Sequence, residues 1–127
     1  MSRRVRVVLV EDNLVFRQTL EVLLELRSTI EVVGSVATGR EAVELARDLR
    51  PDVVVMDYRM PGLSGAQATA AVLEASPGSR VVCLTASISG EELREIRAAG
   101  AIACVMKDEA LDDIIEAIHE AALASSA

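Results

Sequence analysis

Four short apolar runs constrain this chain more than any other feature: Val5 to Val10, Val53 to Met56, Val81 to Leu84 and Ile102 to Met106. They are rich in β-branched residues, Arg6 apart they do not alternate with polar ones, and Pro, Gly or acidic residues bound them. Strands buried on both faces read this way, and such strands belong to parallel sheets. A fifth candidate, Ile30 to Ala37, is interrupted by Gly34 and less apolar, as suits an edge strand.

Helical patterns fill the gaps. Asn13 caps a helix expected to run to about Arg27. On it Phe16, Leu20, Leu23 and Leu24 form one stripe, which Val15, Val22 and Leu26 widen to about 200°. Thr38 or Gly39 opens a second helix, and Pro51 closes it. An Ala-rich third helix, its stripe read as core, spans Gly65 to about Ala75 and stops before Pro77-Gly78. Ser89 caps a fourth, with Glu91 and Glu92 in its first turn and Gly100 beyond its end. The fifth is expected from about Asp108 to Ala124. Five strand–helix repeats imply a three-layer α/β domain with right-handed crossovers.

Composition removes several functions. A chain of 127 residues fits one domain. Aromatics make up 2% of it, which leaves no stacking platform for single-stranded nucleic acid or a flavin. The net charge of -7 argues against direct nucleic-acid binding, since phosphate backbones require clustered Lys and Arg. No apolar stretch is long enough to span a membrane, and the apolar run after Arg4 is too short for a signal peptide, so a cytoplasmic protein is expected. Cys83 and Cys104 lie inside apolar runs and read as buried, reduced thiols.

In an open parallel sheet, ligands bind beyond the carboxyl ends of the strands. Glu11 and Asp12 follow the first strand, Asp57 the third, Thr85 and Ala86 the fourth, and Lys107 the fifth. Neighbouring carboxylates repel unless a cation neutralises them. An oxygen-only cluster suits Mg²⁺, which keeps several waters. A carboxylate beside Mg²⁺ can attack phosphorus and become an aspartyl phosphate. The hydroxyl of Thr85, the N–H of Ala86 and the ammonium of Lys107 are placed to hold the product oxygens. Each residue alone has an ordinary reading: a strand end, a turn, a solvated lysine. Their joint occurrence at successive strand ends does not.

Val10-Glu11-Asp12-Asn13, Val54-Val55-Met56-Asp57-Tyr58-Arg59-Met60-Pro61-Gly62, Leu84-Thr85-Ala86 and Val105-Met106-Lys107 resemble the receiver domain of two-component response regulators. The likeness runs from about Arg4 to Leu123. The segment Met60 to Gly65, and Asp108 after Lys107, resemble the subfamily with a C-terminal helix-turn-helix output domain. The resemblance implies a flavodoxin-like (βα)5 fold with a five-stranded parallel sheet in the order 2-1-3-4-5. It implies a single receiver domain over residues 1–127, with 124–127 as a tail. It implies that Asp57 accepts a phosphoryl group from a sensor histidine kinase. Mg²⁺ would be held by Glu11, Asp12, Asp57 and the main-chain carbonyl of Arg59. Lys107 would pair with the phosphoryl group or with Asp57, and Thr85 would move toward the phosphoryl oxygen. Such a switch is not an enzyme beyond its own phosphoryl transfer and dephosphorylation. Its output would be transcription.

One position departs from the family pattern. Cys104 stands where most receivers carry an aromatic ring, so a ring-driven change on the fourth-helix face is not expected. The wide apolar arc of the first helix offers another surface: a homodimer or output-domain contact through the first and last helices, unless the last helix covers it. His119 reads as a solvated helix residue, Tyr58 and Arg59 as screens for the attacking water, and the Lys107–Asp108 bond as trans. A phosphatase of the haloacid dehalogenase type would want a second Asp where Arg59 stands, and a flavodoxin would want a hydroxyl-rich phosphate loop. A receiver serving only as a docking module would not require the acid, Thr and Lys set.

Overall fold

The computed structural model describes residues 3–125. Five strands alternate with five helices: β1 (Val5–Val10), α1 (Leu14–Glu25), β2 (Ile30–Val36), α2 (Gly39–Leu49), β3 (Val53–Asp57), α3 (Gly65–Ala75), β4 (Arg80–Thr85), α4 (Gly90–Ala98), β5 (Ala103–Met106) and α5 (Leu111–Ser125). All strand pairs are parallel, and the sheet order is β2-β1-β3-β4-β5. This is the expected three-layer, flavodoxin-like arrangement.

Burial explains the unbroken apolar runs. Every residue of β3 is buried, because helices cover both faces of the sheet. One core joins Val7, Leu9, Val55 and Leu84 to α1 and α5. The other joins Val8, Val10, Val54 and Met56 to α2, α3 and α4, and takes in Ala68 and Val72 of the Ala-rich helix. The edge strand β2 is only partly buried and irregular. Its register against β1 shifts between Val7 and Val8, which leaves Val33 unmatched as a bulge.

Local chemistry sets most boundaries. Asn13, Thr38, Ser64 and Ser89 each accept a backbone N–H at a helix start, and Ser64 with Gln67 and Ser89 with Glu92 complete capping boxes. Arg50, at φ 46, ends α2 in the left-handed region one residue before Pro51. Gly100 follows α4 at φ 119. There are no cis peptide bonds among the described residues, so Lys107–Asp108 is trans.

Three expectations need correction. The helix read from Asp108 starts at Leu111, because the Glu109 carboxylate accepts the Met106 N–H at 2.6 Å and the Glu109 N–H returns to the Met106 carbonyl at 3.1 Å. That closed turn takes the place of a first helical turn, and the Ala110 carbonyl accepts the first helical N–H groups, from Asp113 and Ile114. Ala124 and Ser125, read as part of a tail, continue α5, while 126–127 lie outside the described residues. His119 is half-buried and shares a 2.9 Å hydrogen bond with Thr29 Oγ1, tying α5 to the loop after α1. Beside it, Arg27 pairs with Asp112 at 2.7 Å.

Gly65 fixes how closely α3 approaches the end of β3. A Cβ there would lie 2.8 Å from the Tyr58 Cα and 2.9 Å from its carbonyl oxygen. Gly65→Ala is expected to lower stability by about 1–3 kcal/mol through overpacking against backbone. Gly78→Ala, where a Cβ meets nothing within 4 Å, should stay within about 0.5 kcal/mol. Urea denaturation of the pair checks this.

Candidate functional site

The strand ends are locked together before any side chain acts. Glu11 N–H donates to the Val36 carbonyl at 3.0 Å, Tyr58 N–H to Leu84 at 3.2 Å, and Lys107 N–H to Thr85 at 2.8 Å. Arg17 of α1 donates to the Glu11 carbonyl at 2.9 Å. A cleft of about 490 Å³ lies across these ends, lined by Glu11, Asp12, Asn13, Asp57, Arg59, Thr85, Ala86 and Lys107. Glu11, Asp12, Asp57, Arg59, Thr85, Ala86 and Lys107, picked from the sequence as metal or phosphate ligands, all lie on this cleft, and Asn13 joins them.

Lys107 is the centre of the charge arrangement. Its ammonium lies 2.5 Å from Glu11 Oε1 and 3.2 Å from Asp57 Oδ2. It also sits over the Phe16 ring, 4.7 Å from the centroid. Burial pulls the Lys107 pKa down, but the hydrogen bond to Glu11 and the nearby Asp57 charge outweigh that, and the net shift is upward. The group therefore stays cationic.

The two carboxylates beneath it are almost inaccessible: Glu11 is 1% and Asp57 4% exposed. Glu11 Oε2 accepts the Asn13 N–H at 2.9 Å, and Asp57 Oδ1 accepts the Arg59 N–H at 3.1 Å. Asp12 is exposed at the mouth. Oxygens from Glu11, Asp12 and Asp57 lie within 4.8 Å of one another. Three carboxylates against one ammonium leave the cluster anionic, and hard oxygen donors in an open cleft fit a divalent cation such as Mg²⁺.

Thr85 is buried, and its hydroxyl donates to the Ser87 carbonyl at 2.9 Å. It must rotate to serve an oxygen on Asp57. Arg59 is drawn to the rim by Glu92, whose oxygens take both guanidinium nitrogens at 2.9 and 3.1 Å. That bond lowers the Glu92 pKa and raises that of Arg59. Tyr58 does not line the cleft. It packs with Met60 and Ala68 in the core under α3 and α4, and burial, then Glu92 and Glu95, push its phenol pKa up. Of Tyr58 and Arg59, only Arg59 lines the cleft. Phe16, read as core, and Glu92, read as a cap, were the residues whose site contacts the sequence did not disclose. Nothing in a capping pattern says which distant arginine the same glutamate will meet.

The fold and the acid, threonine and lysine set at its carboxyl edge define a receiver. The family model for the response regulator receiver domain matches residues 7–119. The chain is 33% identical over 117 residues to the transcriptional regulatory protein LiaR of Bacillus subtilis, covering 92% of this chain and 56% of that protein. It is 34% identical over 119 residues to the probable transcriptional regulatory protein NarL of Mycobacterium tuberculosis, covering 94% and 55%. The solved receiver domain of the putative response regulator NarL from M. tuberculosis superposes with a TM-score of 0.90 at 34% identity, covering 95% of this chain and 98% of that one. This chain belongs to the response regulator receiver domain family of two-component systems. It spans about half the length of the curated relatives it matches.

No helix among the described residues is long and apolar enough to cross a membrane.

Asp12→Ala should weaken Mg²⁺ binding at least about tenfold, or about 1.4 kcal/mol. Removing one of three repelling charges should also hold or raise the melting temperature without metal. Mg²⁺ titration followed by melting temperature reads both effects, and unchanged affinity would place the metal elsewhere.

Proposed function

We propose that this chain is a phosphorylation-dependent switch whose phosphoacceptor is Asp57, loaded from the phosphohistidine of a sensor histidine kinase in a Mg²⁺-dependent reaction. The observation carrying this is the Asp57 carboxylate, 3.2 Å from the Lys107 ammonium and beside two further acids at an open strand end. A carboxylate oxygen of Asp57 attacks phosphorus. The new O–P bond replaces the N–P bond of the donor, and the imidazole leaves. Bound by Glu11, Asp12, Asp57 and the Arg59 carbonyl, Mg²⁺ would neutralise the approaching phosphoryl oxygens. Lys107 exchanges its contact with Asp57 for the phosphoryl group. Thr85 gives up the Ser87 carbonyl and, with the Ala86 N–H, binds another phosphoryl oxygen. The protein does no chemistry beyond gaining and losing this group.

Transcription is the output this reading favours, because LiaR of B. subtilis and NarL of M. tuberculosis are named as transcriptional regulators. The net charge of -7 leaves DNA contact to another domain. The first helix supplies the contact surface. Val15, Val22 and Leu26 are 73%, 60% and 75% exposed, so α5 does not cover them as one expectation had it. A single apolar stripe is self-complementary about a two-fold axis, and a second copy of the receiver is the occupant it suits.

Incubation with acetyl phosphate and Mg²⁺ should add one phosphoryl group by intact mass, and Asp57→Asn should abolish it. Phosphorylation of Asp57→Asn at the original rate would refute the acceptor. In sedimentation of the phosphorylated protein, Val22→Glu should weaken self-association at least about tenfold by burying a charge. Weakening by Ala98→Glu, with Val22→Glu inert, would move the contact to α4.

A further inference from the structure

The two cysteines are partners across the sheet. Cys83 of β4 and Cys104 of β5 face one another in register, between the pairs Val82–Ala103 and Leu84–Val105. Both side chains belong to the same face, packed with the core under α2, α3 and α4. Both are free thiols. Adjacent strands lie about 4.8 Å apart, and a disulfide needs Cα atoms about 4.4–6.8 Å apart with side chains on one face. The register therefore already meets the Cα requirement for such a bond.

Their surroundings differ in a useful way. Cys83 is 1% exposed, whereas Cys104, expected to be buried, is only half-buried. The two thiols act on one another: Cys104, then burial, raises the pKa of Cys83, and Cys83 lowers that of Cys104. The Arg97 guanidinium of α4 also favours the Cys104 thiolate, while Glu109 opposes it.

We propose that Cys83 and Cys104 form a reversible intrachain disulfide on exposure to a hydroperoxide, a redox modification site independent of Asp57. The Cys104 thiolate attacks the peroxide: an S–O bond forms, the O–O bond breaks, and water or an alcohol leaves with a proton. The Cys83 thiol then attacks the sulfenic sulfur of Cys104. The S–S bond forms and the S–O bond breaks, and the departing hydroxide takes the Cys83 proton as water. Both thiols are oxidised and the peroxide is reduced. A small thiol reductant reverses the bond by exchange. The cross-link lies two residues before Thr85 and three before Lys107, so it clamps together the strands that present both residues to the cleft.

The test is hydrogen peroxide treatment of the full chain, followed by quenching, denaturation and alkylation. The expected result is loss of both alkylatable thiols in a species that stays monomeric, a peptide linking Cys83 to Cys104, and recovery with dithiothreitol. Cys104→Ser should slow oxidation of Cys83 at least about tenfold. Cys83→Ala and Cys83→Ser should each leave Cys104 as sulfenic or sulfinic acid. The proposal fails if wild-type Cys104 is over-oxidised while Cys83 stays alkylatable, if the only disulfide joins two chains, or if both thiols survive.

Discussion

The Lys107 ammonium, held between Glu11 and Asp57, is the contact on which the site depends. It joins the end of β5 to the ends of β1 and β3, across the intervening β4. Glu11 is 1% and Asp57 4% exposed, and the Lys107 ammonium is the counter-charge that both carboxylates meet. A buried ion pair of this kind adds little net stability, because desolvation offsets the attraction. Its value is positional. Lys107 balances the acids, and under the proposed function its contact with Asp57 is one that phosphorylation would replace.

The sheet order explains why these groups meet at all. β1 and β3 are neighbours, yet α1 packs on one face and α2 and α3 on the other. The chain therefore parts at their carboxyl ends and leaves a crevice. Glu11 and Asp57 occupy its two sides. The capping boxes at Ser64 and Ser89 anchor the helices beyond, and Arg59 and Glu92 bridge from the β3–α3 loop to α4. That bridge draws Arg59 to the rim of the cleft. One ion pair at the surface thus positions Arg59 at the rim, while a second, largely buried, joins Lys107 to Glu11 and Asp57.

The same β4–β5 edge carries two kinds of reactive group. Thr85 and Lys107 sit at its end, and the paired cysteines lie just behind them. Any bond drawn between Cys83 and Cys104 would be felt at Thr85 through the shared strands, because closely packed elements move together.

The sequence by itself determined the five strands, the order of elements, the caps at Asn13 and Ser89, the second helix opening at Thr38 or Gly39, and the acid, threonine and lysine residues lining the cleft, while the Ser64 cap emerged with the structure. These follow from local rules: β-branched runs buried on both faces, hydroxyl or amide side chains before helices, and polar residues immediately after apolar strands. Tertiary structure alone decided what these elements meet. His119 found Thr29 and Phe16 lay beneath Lys107, because helix packing brought distant surfaces together. Tyr58 turned into the core although Arg59 beside it lines the cleft, since successive side chains leaving a strand point to opposite sides. The start of α5 at Leu111 depended on Glu109 reaching back to Met106. Cys83 and Cys104 stand 21 positions apart in the chain, and only the register of β4 against β5 made them neighbours.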